Sequence, residues 1–255
     1  MLRKYIPLAL CLEALTVFTV IAAAKSMANK LTWSKKGVTF PVGCNRPFKD
    51  CKPLRIPSPD AKSVVEISYN TTPDYPDTEV ASLHVTTLGK DVGEVEPVGS
   101  VESELTWSPD SKAFFVNGSN NGNTDYHVAV HLLDDPHLGP GYITREVAQD
   151  MVRSFPPCRA KNPIHNCAEL EANPEDYIGT AGIDWAGNSS EMVVMAEVTC
   201  SSSVGGIMCQ VLGYEVEVPS GKILRRMRPK EFTRRWQHSM AWKFNDPRPA
   251  EFKDK

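Results

Sequence analysis

The sequence lacks the short motifs by which most catalytic sites are recognised. It contains no Gly-x-Ser-x-Gly element, no phosphate-binding loop of the form G-x-x-x-x-G-K-[S/T], and no H-E-x-x-H. These absences leave hydrolases with a nucleophile elbow, P-loop nucleotidases and zincin metalloproteases without support. The cysteines also lack the C-x-x-C spacing of common zinc sites. We therefore expect no enzymatic activity and no cofactor.

A strong net charge is missing as well. The 28 Lys/Arg and 31 Asp/Glu leave a formal charge of −3, which excludes a strongly basic protein. The charges are nevertheless separated along the chain. Ile56–Asp150 holds 16 Asp/Glu and 4 Lys/Arg, a balance of 4 − 16 = −12, whereas Lys222–Lys243 holds 8 Lys/Arg and 1 Glu, a balance of 8 − 1 = +7. This distribution predicts an acidic body and a basic flank.

The beginning of the sequence has the features of an export signal. Two basic residues precede the apolar run Tyr5–Ala24, and small residues suit cleavage after Ala24 or after Ala28. A retained membrane anchor is the alternative, because the run is long enough to cross a bilayer. We predict that residues 1–28 are a signal peptide and that residues 29–255 form a single β-rich domain in the periplasm or outside the cell. A nucleic-acid partner is not expected there, and a membrane contact is expected only if the signal is retained.

The remaining cysteines fit an oxidising compartment. Once the signal is removed, six cysteines are left, and they fall into three pairs that are close in sequence. An even number of cysteines in an exported chain indicates disulfides, which outweigh a zinc site because no histidine pair accompanies them. The simplest pairing gives three local bridges: Cys44–Cys51, Cys158–Cys167 and Cys200–Cys209.

The rest of the chain is rich in short strand patterns joined by tight turns. In Leu105–Val116 one strand leads through a Ser-Pro-Asp turn into another, since proline fixes φ and aspartate can bond the turn backbone. The run Ser58–Ile67 repeats that turn and the apolar strand after it. Ile183–Met195 is a third copy with a different turn, and Leu31–Phe40 is a fourth candidate copy that shares Leu-Thr-Trp-Ser with Leu105–Val116.

The run Trp107-Ser108-Pro109-Asp110-Ser111-Lys112 and the later strand pair Tyr214–Leu224 resemble the blade motif of WD40-like propellers of the TolB type. The resemblance covers Ser58–Leu224 with interruptions, and it implies repeated antiparallel sheets more than any one function. We therefore predict an all-β fold, a small or degenerate β-propeller-like array of antiparallel sheets. One short inserted helix is expected at 144–155 and a C-terminal helix at Pro229. A twisted β-sandwich is the alternative.

One loop offers a candidate metal site. Asp134, Asp135 and His137 follow a strand and could together bind a hard cation or perform acid–base chemistry. A simple polar turn is the alternative, because Asp-Pro turns are common and no further ligand cluster is near in sequence.

The C-terminal extension 222–255 offers a candidate partner-binding surface. It interleaves cations with aromatic residues, a mixture typical of protein interfaces. The candidate residues are Arg225, Arg226, Arg228, Arg234, Arg235, Trp236 and Trp242. Alternatively, an aromatic stripe of this segment packs on the last sheet and the arginines form its solvated side.

Together these features favour an exported, non-catalytic binding or scaffolding protein, with a protein or an envelope component as its partner. Two alternatives stay open. One is a metal-dependent or hydrolytic enzyme built on loop residues, and the other is an exported inhibitor or immunity-type protein that presents a loop to a target enzyme.

Overall fold

The computed structural model describes residues 33–45, 51–72, 75–119, 126–134, 143–155, 167–198 and 210–242, all of which lie in the unit Thr32–Lys255. This part of the chain is mostly β, as the sequence predicts. The predicted signal segment lies outside the described residues. Within those residues, no helix combines the length and the apolar character needed to cross a membrane.

The secondary-structure elements are numbered in chain order. The strands are β1 (Val38–Pro41), β2 (Gly43–Asn45), β3 (Leu54–Pro57), β4 (Ser63–Thr72), β5 (Tyr75–Thr87), β6 (Lys90–Val95), β7 (Glu102–Trp107), β8 (Ala113–Ser119), β9 (Tyr126–Leu132), β10 (Gly179–Gly187), β11 (Glu191–Glu197), β12 (Val211–Glu217) and β13 (Ile223–Met227). The helices are α1 (Ile143–Ser154), α2 (Cys167–Ala172) and α3 (Pro229–Trp236), with a 3-10 turn at Pro174–Asp176.

Among the described residues, these strands form three antiparallel sheets. The first sheet has the order β3-β4-β5, and both β2 and β6 pair with β5. The middle sheet has the order β1-β7-β8-β9, and the third has the order β10-β11-β12-β13. Apart from β1 and β2, strands that pair are consecutive in sequence. Each sheet is therefore built mainly from local hairpins.

The middle sheet is covered on both faces, as the burial of β8 shows. All seven residues of β8 are buried, although successive side chains of a strand point to opposite faces. Phe114 and Val116 belong to an apolar core shared with Val65 and Leu83 of the first sheet. Phe115 belongs to a second core, which the third sheet and α1 complete. The sheets thus stack face to face in the order first, middle, third, one layer more than a two-sheet sandwich.

The Ser-Pro-Asp turns of the first and middle sheets have the same pattern of hydrogen bonds. The hydroxyl groups of Ser58 and Ser108 each donate to the aspartate two residues later, at 2.7 and 2.8 Å. Each hydroxyl also accepts from the backbone N–H five residues later, at 3.0 Å in both turns. The pKa of Asp60 lies below its usual value, mainly because Ser58 donates to its carboxylate. The two turns are therefore the same structure, as their sequences predict.

We expect Ser108→Ala to lower the free energy of unfolding by about 1–3 kcal/mol, because the buried N–H of Ala113 loses its acceptor. Urea unfolding monitored by tryptophan fluorescence would measure the loss. Ser190→Ala is the matched control in the third sheet, since that serine is exposed and its hydroxyl bonds only within its own turn. Equal losses in the two variants would contradict a structural role for the Ser108 hydroxyl.

Equivalent tryptophans connect the middle sheet to the first and the third sheet to the middle one. The indole N–H of Trp107 donates to the carbonyl oxygen of Ile56 at 3.2 Å, and that of Trp185 donates to the carbonyl oxygen of Thr106 at 3.4 Å. Ile56 and Thr106 occupy the same position, two residues before the turn serine of their sheets. The step from the first sheet to the middle sheet is therefore repeated from the middle sheet to the third.

Two further contacts extend this equivalence. Ser111 accepts the N–H of Asp60 at 3.0 Å, and Ser189, at the equivalent position of the third sheet, donates to Asp110 at 2.9 Å. In each of the three described sheets, the backbone N–H just after one strand (β5, β9 or β12) donates to the backbone carbonyl oxygen just before its partner strand (β4, β8 or β11). The three bonds run from Leu88 to Lys62 at 2.7 Å, from Leu133 to Lys112 at 2.9 Å, and from Val218 to Ser190 at 2.8 Å. The three sheets are thus copies of one unit.

The two ends of the stack differ. On the outer face of the first sheet, Glu66 and Ser68 alternate with the buried Val65 and Ile67, so that face is polar. On the outer face of the third sheet, Met195, Gly213 and Met227 lie side by side across β11, β12 and β13. The ring of Phe232 in α3 covers them so closely that a Cβ on Gly213 would lie 2.1 Å from it. The predicted C-terminal helix therefore closes the apolar end.

The fourth candidate copy, Leu31–Phe40, does not form a sheet of its own among the described residues. Instead, β1 pairs with β7 at the edge of the middle sheet. The residues before it join the C-terminal segment, where Lys35 donates to the carbonyl oxygen of Ser239 at 2.8 Å. The predicted inserted helix is α1, and the sequence interpretation missed α2, which follows it.

Candidate functional site

A groove of about 720 Å³ lies where the end of α1, the start of β12 and the junction between β13 and α3 meet. Its cationic side chains are Arg153, Arg226 and Arg228. Phe155, Val211, Leu212 and Pro229 supply apolar lining. We call this surface the arginine groove.

Local structure places each arginine. Arg153 ends the last turn of α1, whose apolar side is buried in the second core. Arg226 lies on β13, which pairs with β12 and forms the edge of the third sheet within the described residues. Arg228 is extended, with φ −72° and ψ 161°, and directly precedes Pro229, which opens α3.

Asp150 in α1 orders two of these arginines. Its carboxylate lies 3.2 Å from Nη1 of Arg226 and 3.9 Å from Nη2 of Arg153. Nη1 of Arg226 also donates to the hydroxyl of Ser154. One carboxylate thus faces two guanidinium groups and leaves positive charge in excess.

The hydroxyl of Tyr214 lies buried next to Asp150. Burial and then the nearby carboxylate raise the pKa of Tyr214, so the phenol stays protonated. A neutral phenol adds no negative charge below the groove.

Among the residues that the structure describes, the charged ones at the groove and its rim are Arg153, Arg225, Arg226, Arg228, Asp150 and Glu231. Their formal charges sum to 4 − 2 = +2. Nε of Arg225 donates to Oε1 of Glu231 at 3.0 Å, so these two charges neutralise each other. Arg228 is exposed and forms no ion pair within the described part of the chain. The groove therefore carries a positive charge next to apolar surface.

The structure separates the seven residues proposed for partner binding. Arg226 and Arg228 line the groove, and Arg225 lies at its rim. Arg235 and the indole of Trp236 instead bind Glu215, at 2.9 and 3.2 Å. Arg234 is exposed on α3, and Trp242 is half-buried with its carbonyl oxygen accepting from Gln237 at 2.7 Å. Sequence reasoning missed Arg153, because nothing in the linear sequence brings α1 next to β13.

The other sequence candidates are described only in part. Asp134 is exposed in the turn after β9, whereas Asp135 and His137 lie outside the described residues. The described residues contain no cluster of three or more potential metal ligands. The sulfur atoms of Cys44 and Cys51 lie within disulfide distance of each other, with their Cα atoms 6.0 Å apart. Of the other predicted bridges, Cys158, Cys200 and Cys209 lie outside the described residues, and the side chain of Cys167 is not described.

A second cavity, of about 740 Å³, lies on the first sheet, in the region where both β2 and β6 pair with β5. Glu94 and Glu96 supply its charges, and Ser82 already donates to Glu94. Its lining contains no cation among the residues described. This cavity lacks the paired, ordered charges of the arginine groove.

Glu104 is the centre of a buried polar cluster in the middle sheet. Its carboxylate accepts from the N–H groups of Trp33 and Ser34, at 2.7 and 3.0 Å, and from the amide of Asn117 at 3.2 Å. Burial outweighs these donors and raises the pKa of Glu104 to about 7. Its contacts tie the segment before β1 to the middle sheet.

Asn117 and Asp184 extend the cluster to the third sheet. The amide of Asn117 bonds both the N–H and the carbonyl oxygen of Gly182, at 2.7 and 2.8 Å. Asp184 binds Lys36 at 3.0 Å and Ser239 at 2.5 Å. Because its polar groups bind one another and the two ends of the described chain cover it, the cluster acts as a structural clasp.

Comparisons with protein-family models, with curated proteins and with solved structures each found no match.

Proposed function

We propose that the chain is an exported, non-catalytic binding protein whose sheets are successive blades of an open, propeller-like array. The equivalent tryptophan, turn and strand-end hydrogen bonds of the three sheets support this architecture. Repeats of one supersecondary unit stack on their neighbours and leave concave or terminal surfaces for binding. The resemblance of Ser58–Leu224 to TolB-type blades favours the same interpretation.

The arginine groove is the observation that carries the binding function. It combines apolar lining with three arginines, of which Arg226 is already held by Asp150 at 3.2 Å, and arginine is enriched at protein interfaces. Ordering by Asp150 lowers the conformational entropy that Arg226 loses when a partner binds. The partner that we propose is a protein or an envelope component, and the groove is its docking site.

Site-specific crosslinking tests this proposal. We expect p-benzoylphenylalanine in place of Phe155, which lines the groove, to crosslink the purified protein to one component of an envelope extract under light. The same group in place of Arg234, which is exposed outside the groove, should not capture that component. Excess unmodified protein should compete with the crosslink. Identical captures from both positions, or none from the groove, would contradict the proposal.

A further inference from the structure

We infer that the arginine groove binds an acidic peptide segment of its partner, in which carboxylates flank a large apolar side chain. This inference rests on the proposed binding function and adds the chemistry of the ligand. It follows from three features of the groove: its excess positive charge, its guanidinium N–H donors that bond to no described residue, and its apolar lining.

The excess charge selects an anion. The groove and its rim carry a net charge of 4 − 2 = +2, with Asp150 shared between Arg153 and Arg226. Arg228 supplies one of these charges, and no described carboxylate neutralises it. A peptide with two carboxylates would balance this charge, whereas a basic peptide would increase the repulsion.

The donors suit an oxyanion. A guanidinium group presents five N–H donors in a planar fork that matches a carboxylate or a phosphate in a bidentate manner, and the apolar lining beside the fork favours the carboxylates of a peptide. Arg226 contacts Asp150 and Ser154 through Nη1, so its other nitrogen atoms can serve a ligand. Arg228, which also lines the groove, contributes a second fork.

The apolar lining requires more than a small anion. Val211 and Leu212 are 1% and 4% exposed, and Phe155 is half-buried beside them. The volume of about 720 Å³ lies within the usual range of ligand pockets, about 300–1,000 Å³. Val211 and Leu212 are already covered by the protein, so the half-buried ring of Phe155 is the apolar surface that a ligand meets. An inorganic anion would leave this ring wet, but a leucine or phenylalanine side chain between two acidic residues would cover it.

Fluorescence anisotropy with defined probes tests the inference. The positive probe is labelled Gly-Glu-Leu-Phe-Asp-Gly, with matched peptides in which lysine replaces both acids or glycine replaces both apolar residues. We expect the positive probe to bind saturably, and its affinity should fall when salt is added. Either matched peptide should bind with an affinity about tenfold lower. Inorganic phosphate and vesicles that contain anionic lipid serve as competitors and should not displace the probe at equal charge concentration.

Two arginine variants define the location. Arg228→Ala should weaken the probe by about tenfold, because a charge-assisted hydrogen bond is lost while no described contact of the fold is removed. Arg234→Ala removes an exposed cation from α3, outside the groove, and should leave the affinity within about twofold. Equal effects of the two variants, equal binding of the lysine peptide, or displacement by phosphate or vesicles would each overturn the inference. If the Phe155 crosslink persists while no acidic probe binds, the ligand chemistry is wrong but the binding function stands; loss of both contradicts both.

Discussion

Phe232→Ala is expected to lower the free energy of unfolding by about 3–5 kcal/mol, because a large side chain is removed from a fully covered position. Phe232 is 0% exposed and lies directly on Gly213 of β12. The cross-strand neighbours of Gly213 are Met195 and Met227, which are also buried. Without the ring, this face of the third sheet would be open to water.

Denaturant unfolding of the two proteins at one pH measures the effect, with an unchanged m-value showing that the transition compares the same states. Arg234→Ala, on the same helix but exposed, should change the free energy by less than about 0.5 kcal/mol. A loss below about 1 kcal/mol for Phe232→Ala would mean that α3 does not stabilise the third sheet.

The cap formed by Phe232 explains how an array of so few sheets can be stable. A closed propeller buries the outer faces of its blades against one another, whereas an open stack has two outer faces to protect. Here the first sheet has a polar outer face that includes Glu66, which pairs with Arg55 at 3.0 Å. The third sheet has an apolar outer face, and α3 covers it. Each end is therefore finished without ring closure among the described residues.

The sequence predicts the local units well because their determinants are local. The Ser-Pro-Asp turn is specified within six residues, and the aromatic and β-branched residues of β7 and β8 on either side of it are visible directly in Leu105–Val116. The helix α1 is likewise predicted from its own periodicity and from the prolines that follow it. These features need no knowledge of which elements contact one another.

The long-range arrangement is not predictable in this way. Pairing of β1 with β7 joins residues such as Val38 and Leu105, which no pattern in either segment specifies. The groove depends on the same kind of contact, since Arg226 meets Asp150 across 76 residues of sequence. The sequence indicated that cations and aromatics of the C-terminal extension have a role. Only the fold separates Phe232, which caps a sheet, from Arg228, which faces the groove.

Stability is expected to fall as the pH rises from about 4.5 to about 8, and Glu104 is the cause. Its pKa is raised from 4.5 to about 7 in the folded chain, mainly because the carboxyl is buried. The folded state therefore binds more protons than the unfolded state between these values, and the free energy of unfolding decreases with pH in that window. The stabilisation is complete below the unfolded pKa and is lost as the pH passes the folded pKa. A shift of this size corresponds to about 3 kcal/mol.

Glu104→Gln should remove this pH dependence, because the amide keeps the size of the side chain but does not ionise. Its single oxygen can accept from only one of the N–H groups of Trp33 and Ser34, which now donate to different carboxylate oxygens, so the variant should be less stable by an amount that does not change with pH. Urea unfolding at pH 5 and pH 8 gives the comparison, in which the parent protein loses about 3 kcal/mol more than the variant. Glu171→Gln, at an exposed position of α2, is the control and should keep the slope of the parent. The same slope in Glu104→Gln as in the parent would show that the buried carboxyl does not set the pH response. Because Glu104 holds the segment before β1 on the middle sheet, loss of the slope would also identify the clasp as the part of the fold that senses pH.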